Sequence, residues 1–443
     1  MNLLLVDPGG FALDFAMRAQ NADHKVKWFV KDTEKTKYIG QGLVPKTDNW
    51  QAHITWADIV FLADNATHVV AADAHRLKGA PVFGPTVATA GLELDRSAGI
   101  KLLQDHGIEV LPFKEFATYD PAIAHVKREM RRLVSKPSGD EPNKALSYVA
   151  KSPADLVYML ERWKRSSKLK GSFILQDFVA GCEMAVGGFM GPGGFNEGWC
   201  ENWEFKKFMV GDLGVATGEQ GTVLRFVKKS KLADQVLKPL EGWLEEQGHT
   251  GYIDVNCIID EDGTPWPLEL TCRPGWPTFN IQQALNQSDD PLQWIAETLD
   301  GKDPKNFRLD EVAVGVCMSI PDYPYSHMTR KEVVGIPLYG LKPSIAANVH
   351  PCEMMLGTAP HEVAGKIVRL PTFVSAGDYI LVTTGLGSTV KAAKHQAMRV
   401  MKNLEMPNSP MYRIDIGDRL KKQLPTCQRF GYATGLQWDA PSG

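Results

Sequence analysis

GYIDVNCIIDEDGTPWPLELTCRPG, residues 251–275, sets two alternating runs on either side of Asp262-Gly263. That dipeptide between alternating segments is a strong hairpin signal. With Asp262 and Gly263 at the tip, Asp254 faces Thr271 and Asn256 faces Glu269. Side chains alternate across a strand, so these four and Arg273 share one face, while Ile253, Val255, Cys257, Leu268 and Leu270 share the other. The apolar face suits a core. Converging oxygens suit a hard cation such as Mg²⁺, which takes a few oxygen ligands and completes its shell with phosphates. The same row also fits the solvated side of an amphipathic hairpin, and phosphate-binding residues upstream are needed to choose between the two.

Around this hairpin lie 443 residues with 44% hydrophobic and 23% charged side chains, the balance of a soluble globular protein. That length implies two to four domains at roughly 100–200 residues each. A net charge of -3 argues against a nucleic-acid protein held by backbone electrostatics. No apolar run reaches the roughly 20 residues of a membrane helix. The opening MNLLLVDPGG reads as a first strand and lacks the plan of a signal peptide. Seven cysteines are dispersed with no CxxC pair, which predicts reduced thiols and a cytoplasmic setting.

Toward the N-terminus, short apolar runs (3–7, 25–30, 58–63, 81–84) alternate with helical stretches. This predicts an α/β fold that begins with a parallel sheet. Ligands of such sheets sit beyond the carboxyl ends of the strands, which points to the loop holding Gly9 and Gly10 and to Asp64 and Asn65. A second segment carries a helix over 94–107, strands over 131–137 and 172–179, and a helix opened by Ser152 with Pro153 at its first position. A third contains EVAVGVCMSI, DYILVTTG and a helix in TVKAAKHQAMRVMKNL. The expected domains are 1–95, 96–305 and a small β-rich 306–425, with a tail over 426–443.

RRLVSKP (131–137), SGDEPNKAL (138–146), SFILQDFVAGCE (172–183), EFKKFMVGDLGVATGEQG (204–221), LELTCRPG (268–275) and the C-terminal YRIDIGDRL (412–420) occur in this order. In that order and spacing the chain resembles the ATP-grasp ligases, and among them the glycinamide ribonucleotide synthetase family (phosphoribosylamine–glycine ligases). The resemblance implies a Rossmann-like N-terminal domain, a central ATP-grasp domain, and ATP with Mg²⁺ or Mn²⁺ as cofactors. Lys136 matches the lysine that reaches the nucleotide phosphates, and Lys144 the lysine of the lid loop. Gln176, Asp177 and Val179 match the hinge strand at adenine, and Glu183 the acid at the ribose. Arg96 stands where relatives have a phosphate-directed lysine, and Lys206 at the lysine of the family's HKR. Glu269 and Thr271 occupy metal-ligand positions, with Asp254 and Asn256 as further oxygen donors. Arg273 is the arginine beside the transferred phosphoryl group. Thr217 and Gly218 fall in the substrate stretch that the family writes NTGGMG.

Departures bear on the substrate. The family's first loop, GGREHAL, is GGFALDF here, its GPE is ADN (63–65), and Glu219 and Gln220 replace a glycine and a methionine. The lid keeps Gly139 and Lys144 but has Asn143 and Ala145 where glycines are expected. The implied reaction is amide formation through an acyl phosphate. The implied acid is glycine or another amino acid, and the implied acceptor is either phosphoribosylamine or a different amine, a nucleotide or nucleic-acid base included. The competing expectation is an ATP-binding protein without ligase chemistry. Expected partners are small molecules, with nucleic acid only as a modified substrate, no membrane, and a monomer or homodimer.

Overall fold

The computed structural model describes residues 1–137, 147–166, 171–325, 331–407 and 409–440. A four-stranded parallel sheet opens the chain, in the order Lys25–Phe29, Asn2–Val6, Ile59–Leu62 and Val82–Phe83. Leu3, Leu5 and Phe61 on one face of its central strands and Leu4 and Val60 on the other are fully buried, as strands covered on both faces require. Helices Leu13–Asn21 and Val69–Arg76 belong to this unit, and Val87–Leu94 and Arg96–Asp105 lead out of it. Thr86 and Asp95 cap the last two through side-chain oxygens on the N–H groups of Thr89 and Ala98.

Next comes a small antiparallel sheet, ordered Phe113–Phe116, Phe173–Asp177, Leu133–Pro137 and Tyr148–Val149. With helices Tyr119–Glu129 and Pro153–Ser166 it encloses its own core around Phe116, Leu133, Leu156, Leu160 and Phe173. The Ser152 hydroxyl accepts the Asp155 N–H at 3.2 Å, as expected of a helix opened by that serine.

The large antiparallel sheet carries the site. From one edge it runs Pro265–Thr271, Gly251–Ile259, Cys182–Gly191, Trp199–Glu204, Gly221–Val227, Val312–Ser319, Tyr379–Gly387 and Val349–Pro351. It continues without a break through the boundary expected near 305, because Val312–Ser319 pairs directly with Gly221–Val227. All seven cysteines are free and buried, and Cys182 packs as a core residue. Among the described residues no helix is long and apolar enough to cross a membrane.

The hairpin register differs from expectation at its tip. Asp254 faces Thr271 and Asn256 faces Glu269 as the alternation requires, but the pairing slips by one beyond Asn256 and ends at Ile259 opposite Pro265. A two-residue turn at Asp262-Gly263 is therefore replaced by the longer connection 260–264. Pro265 and Pro267 have no N–H to give a tight ladder. Asp260 organises the connection instead, accepting from the N–H groups of Asp262 (3.0 Å) and Thr264 (2.8 Å) and from Trp266 Nε1 (2.8 Å). The bulge absorbs the slip before it reaches the polar row.

Candidate active site

Alternation across four neighbouring strands places Glu269 and Thr271, Asp254 and Asn256, Glu183, and Asn202 and Glu204 on one face of the large sheet. Lys206, just past the strand Trp199–Glu204, reaches into this row. Its Nζ lies 3.1 Å from Glu204 Oε2, 3.4 Å from Glu269 Oε1 and 3.5 Å from Glu183 Oε1. Burial alone would lower its pKa, and the three carboxylates overcome this and hold it well above the usual lysine value. Asn256 Nδ2 donates to Glu183 Oε1 at 3.2 Å.

Glu269 is gripped from the other side by Arg96, whose Nη1 donates to Oε2 at 2.8 Å. Arg96 is the first residue of its helix, and its Nε is fixed on the Pro137 carbonyl at 3.0 Å. Burial would raise the Glu269 carboxyl, but Lys206, Arg96 and Lys136 hold it well below the carboxylate range. Lys136 comes from the small sheet and bridges to the large one, donating to Gln176 Oε1 at 2.8 Å and to the Leu268 carbonyl at 3.2 Å. Burial, and then the charge of Arg96, push its pKa down to about 7 against the pull of Glu269.

Of the hinge residues, Gln176 lies on Phe173–Asp177 beside Lys136, and its buried Nε2 has no protein partner. The Asp177 carboxylate pairs with Arg131, and its N–H donates to the Pro112 carbonyl at 3.0 Å. Val179 is half-buried in the segment that leads to Cys182–Gly191. Lys144, with Gly139, Asn143 and Ala145, lies outside the described residues.

Oxygen donors for a cation are present. Asn256 Oδ1 is buried without a protein partner, directly opposite Glu269. Among the described residues no group of three or more His, Cys, Asp or Glu side chains is arranged to hold a metal. An ion on Glu269 and Asn256 would thus be completed by phosphate oxygens, as Mg²⁺ commonly is. Asp254 faces Thr271 but spends its Oδ2 on Asn202 Nδ2 (2.9 Å) and the Tyr252 hydroxyl (3.0 Å). Burial, and then the charge of Glu204, raise its pKa to about 7.

At the end of the strand Pro265–Thr271 the site meets the parallel sheet. Arg273 Nη2 lies 3.1 Å from Glu93 Oε1, and Asn65 Nδ2 donates to the other oxygen of Glu93 at 2.6 Å. Trp276 Nε1 donates to the Ala63 carbonyl at 3.0 Å, and its ring stacks with Phe11 at 6.2 Å between centroids. Asp64, Asn65 and Arg273, far apart in the chain, thus come together around Glu93 at a mouth with Phe11 and Trp276, while Gly9 lies under the Phe11 ring and Gly10 is buried against Ile39. Trp276 is the tryptophan at that mouth. Trp203 is in the core, Trp199 packs on Phe195, and Trp266 belongs to the hairpin connection. Thr217 stands off the acidic row, donating its hydroxyl to the Lys206 carbonyl at 2.8 Å, and Gly218 beside it is exposed.

Sequence reasoning missed Asn202, Glu204, Glu93 and the role of Glu219. The signal for the first two was present in WCENWE, where 202 and 204 alternate out of phase with the tryptophans at 199 and 203 and so fall on the opposite face. Glu219 is buried, accepts the Thr278 hydroxyl at 3.1 Å, and is driven well above the usual range by burial and then by Glu204.

A charged Lys136 is what phosphates would bind, yet in the free protein its pKa is about 7. Above that pH, binding must first recruit a proton. For a nucleotide phosphate held at this lysine, affinity is therefore expected to fall as pH rises from 7, by up to about tenfold per unit. Titration across this range in buffers of different ionisation enthalpy should show net proton uptake, and Lys136→Met should flatten the profile. A flat profile in the unaltered protein would remove Lys136 from the phosphates.

No family model matches the chain. Phosphoribosylamine–glycine ligase of Ralstonia nicotianae is 26% identical over 358 residues, spanning 78% of this chain and 80% of that one. Among solved structures, the phosphoribosylamine–glycine ligase of Thermotoga maritima superposes with a TM-score of 0.70 at 18% identity, covering 94% of this chain and all of that one. An ADP complex of N5-carboxyaminoimidazole ribonucleotide synthetase gives 0.59 at 13% identity, covering 90% and 96%.

Proposed function

We propose that this chain, a glycinamide ribonucleotide synthetase-like ATP-grasp ligase, joins the carboxylate of an amino acid, glycine first among them, to an amine while ATP goes to ADP and phosphate. The observation that carries this reading is Glu269, set between Arg96 and Lys206 with Lys136 next to both. Cations from three elements thus converge on one carboxylate of a strand whose end reaches the N-terminal sheet. Phosphoryl transfer is accelerated by positioning and by neutralising charge on the phosphates.

In this reading a carboxylate oxygen of the amino acid attacks the γ-phosphorus, and the bond to the β-phosphate oxygen breaks to release ADP. The amine nitrogen then attacks the acyl carbon, phosphate leaves with the bonding pair, and the nitrogen loses a proton. Lys136, Lys206 and Arg96 bind the phosphates, Glu183 receives the ribose, and Gln176, Asp177 and Val179 the base. Glu269 and Asn256 would hold Mg²⁺, which would supply further neutralisation of the phosphate charge. Arg273 steadies the acyl phosphate at the mouth where the acceptor arrives.

The test is hydroxylamine trapping. Glycine, ATP and Mg²⁺ with hydroxylamine should yield glycine hydroxamate and equimolar ADP, because hydroxylamine captures an acyl phosphate without help from an acceptor site. ATP binding with no hydroxamate from glycine or any other amino acid would favour a nucleotide-binding protein without ligase chemistry.

A further inference from the structure

We infer that the acceptor amine carries no phosphate and presents a flat, apolar body to Phe11 and Trp276. This rests on the ligase reading above and specifies its acceptor. The start of the helix Leu13–Asn21, beyond the first strand, is where a phosphate would be sought, since free N–H groups there attract anions. In this chain three donors leading into that start are spent. Gly10 N–H donates to the Asp7 carbonyl at 3.1 Å, Phe11 N–H to Asp7 Oδ1 at 3.0 Å, and Ala12 N–H to Asp7 Oδ2 at 2.8 Å. Trp28 Nε1 adds a further bond to Oδ2 at 3.1 Å, so a buried carboxylate already fills the anion position.

The space over the glycines is filled as well. A Cβ on Gly9 would lie 2.1 Å from Phe11 Cε2, so the ring rests directly on the glycine. Phe11 is 40% exposed, so part of its ring faces solvent beside Trp276. Trp276 extends the same apolar surface, inclined 21° to Phe11 and anchored by its bond to Ala63.

Charge points the same way. Asp64 and Glu93 lie at this mouth, the fully buried Asp7 lies behind it with its pKa raised by burial to about 6, and the Arg273 guanidinium is engaged by Glu93 and the Pro274 carbonyl. His68 and Arg273 are the basic groups that face Asp64, Lys31 faces His68, and burial lowers the His68 pKa, which favours its neutral form. A phosphate monoester would bring up to about two negative charges against these carboxylates. An ammonium on an aromatic or aliphatic frame would be drawn in by the acids and covered by the rings.

Ribosylamine and phosphoribosylamine, each formed in situ from ammonia and the sugar, differ only in the phosphate and make the decisive comparison. Hydroxamate formation from glycine is measured first, so that loss of the ligase reading is seen separately. With that step working, ADP release with ribosylamine should equal or exceed that with phosphoribosylamine, and benzylamine should serve as acceptor or compete with it. Phe11→Ala should raise the benzylamine KM or inhibition constant about tenfold. A preference of about tenfold or more for phosphoribosylamine would overturn the proposal. If no amine is accepted, ribose 5-phosphate decides: failure to inhibit the hydroxamate reaction supports the proposal, and inhibition at millimolar concentration overturns it.

Discussion

Glu269→Ala is expected to cut ADP release by about 10³-fold while the chain keeps its fold. The carboxylate is the one group in the row that touches Arg96 and Lys206 together, 2.8 and 3.4 Å away. Lys206 keeps Glu204 and Glu183, whereas the buried Arg96 keeps only the neutral Pro137 carbonyl and loses its carboxylate. The thermal unfolding midpoint should therefore fall by a few degrees without loss of the fold, and nucleotide should still bind through the lysines. The deficit should appear in turnover and in a raised Mg²⁺ requirement, because the removed oxygens are those that face Asn256 across the hairpin. Undiminished turnover would take Glu269 out of the metal position.

Arg273→Met should act on stability and activity together. Glu93 is 5% exposed at its side chain, and Arg273 25%, so the pair lies largely out of water. Removing one partner of a buried pair takes the guanidinium's compensation away from the other charge, at a cost of about 3 kcal/mol. Asn65 and the Cys272 N–H still reach Glu93 but carry no charge to replace the guanidinium. A second change, Glu93→Gln, should restore most of the stability and none of the turnover. Denaturant unfolding of both singles and the double gives the coupling. Additive losses would mean that the pair is not the source of the cost.

Much of this arrangement is legible in the sequence, and for a definite reason. Strand alternation with period two ties Asp254 to Thr271 and Asn256 to Glu269 wherever the hairpin pairs at all, and the observed bulge lies on the far side of those pairs. The strand–helix alternation of the first hundred residues likewise yields its parallel sheet. What could not be read depends on neighbours brought from elsewhere. Glu204 and Asn202 lie on Trp199–Glu204, whose aromatic residues hide its polar face. Glu93 ends a helix and looks like a solvent residue until Arg273 and Asn65 are placed against it. At the hairpin tip Pro265 and Pro267, which cannot donate to a tight ladder, override the Asp-Gly signal.

The large sheet also bears on how the chain comes to be folded. Gly221–Val227 is fully buried along its length and pairs on one side with Trp199–Glu204 and on the other with Val312–Ser319, a strand from much later in the chain. Until that later strand is synthesised, one side of Gly221–Val227 is an apolar edge with open N–H and C=O groups, the kind of edge that recruits foreign strands. Pairings of such separation also form slowly. During translation the vulnerable interval is therefore the passage from residue 227 to residue 319, and protection by a chaperone would matter most there.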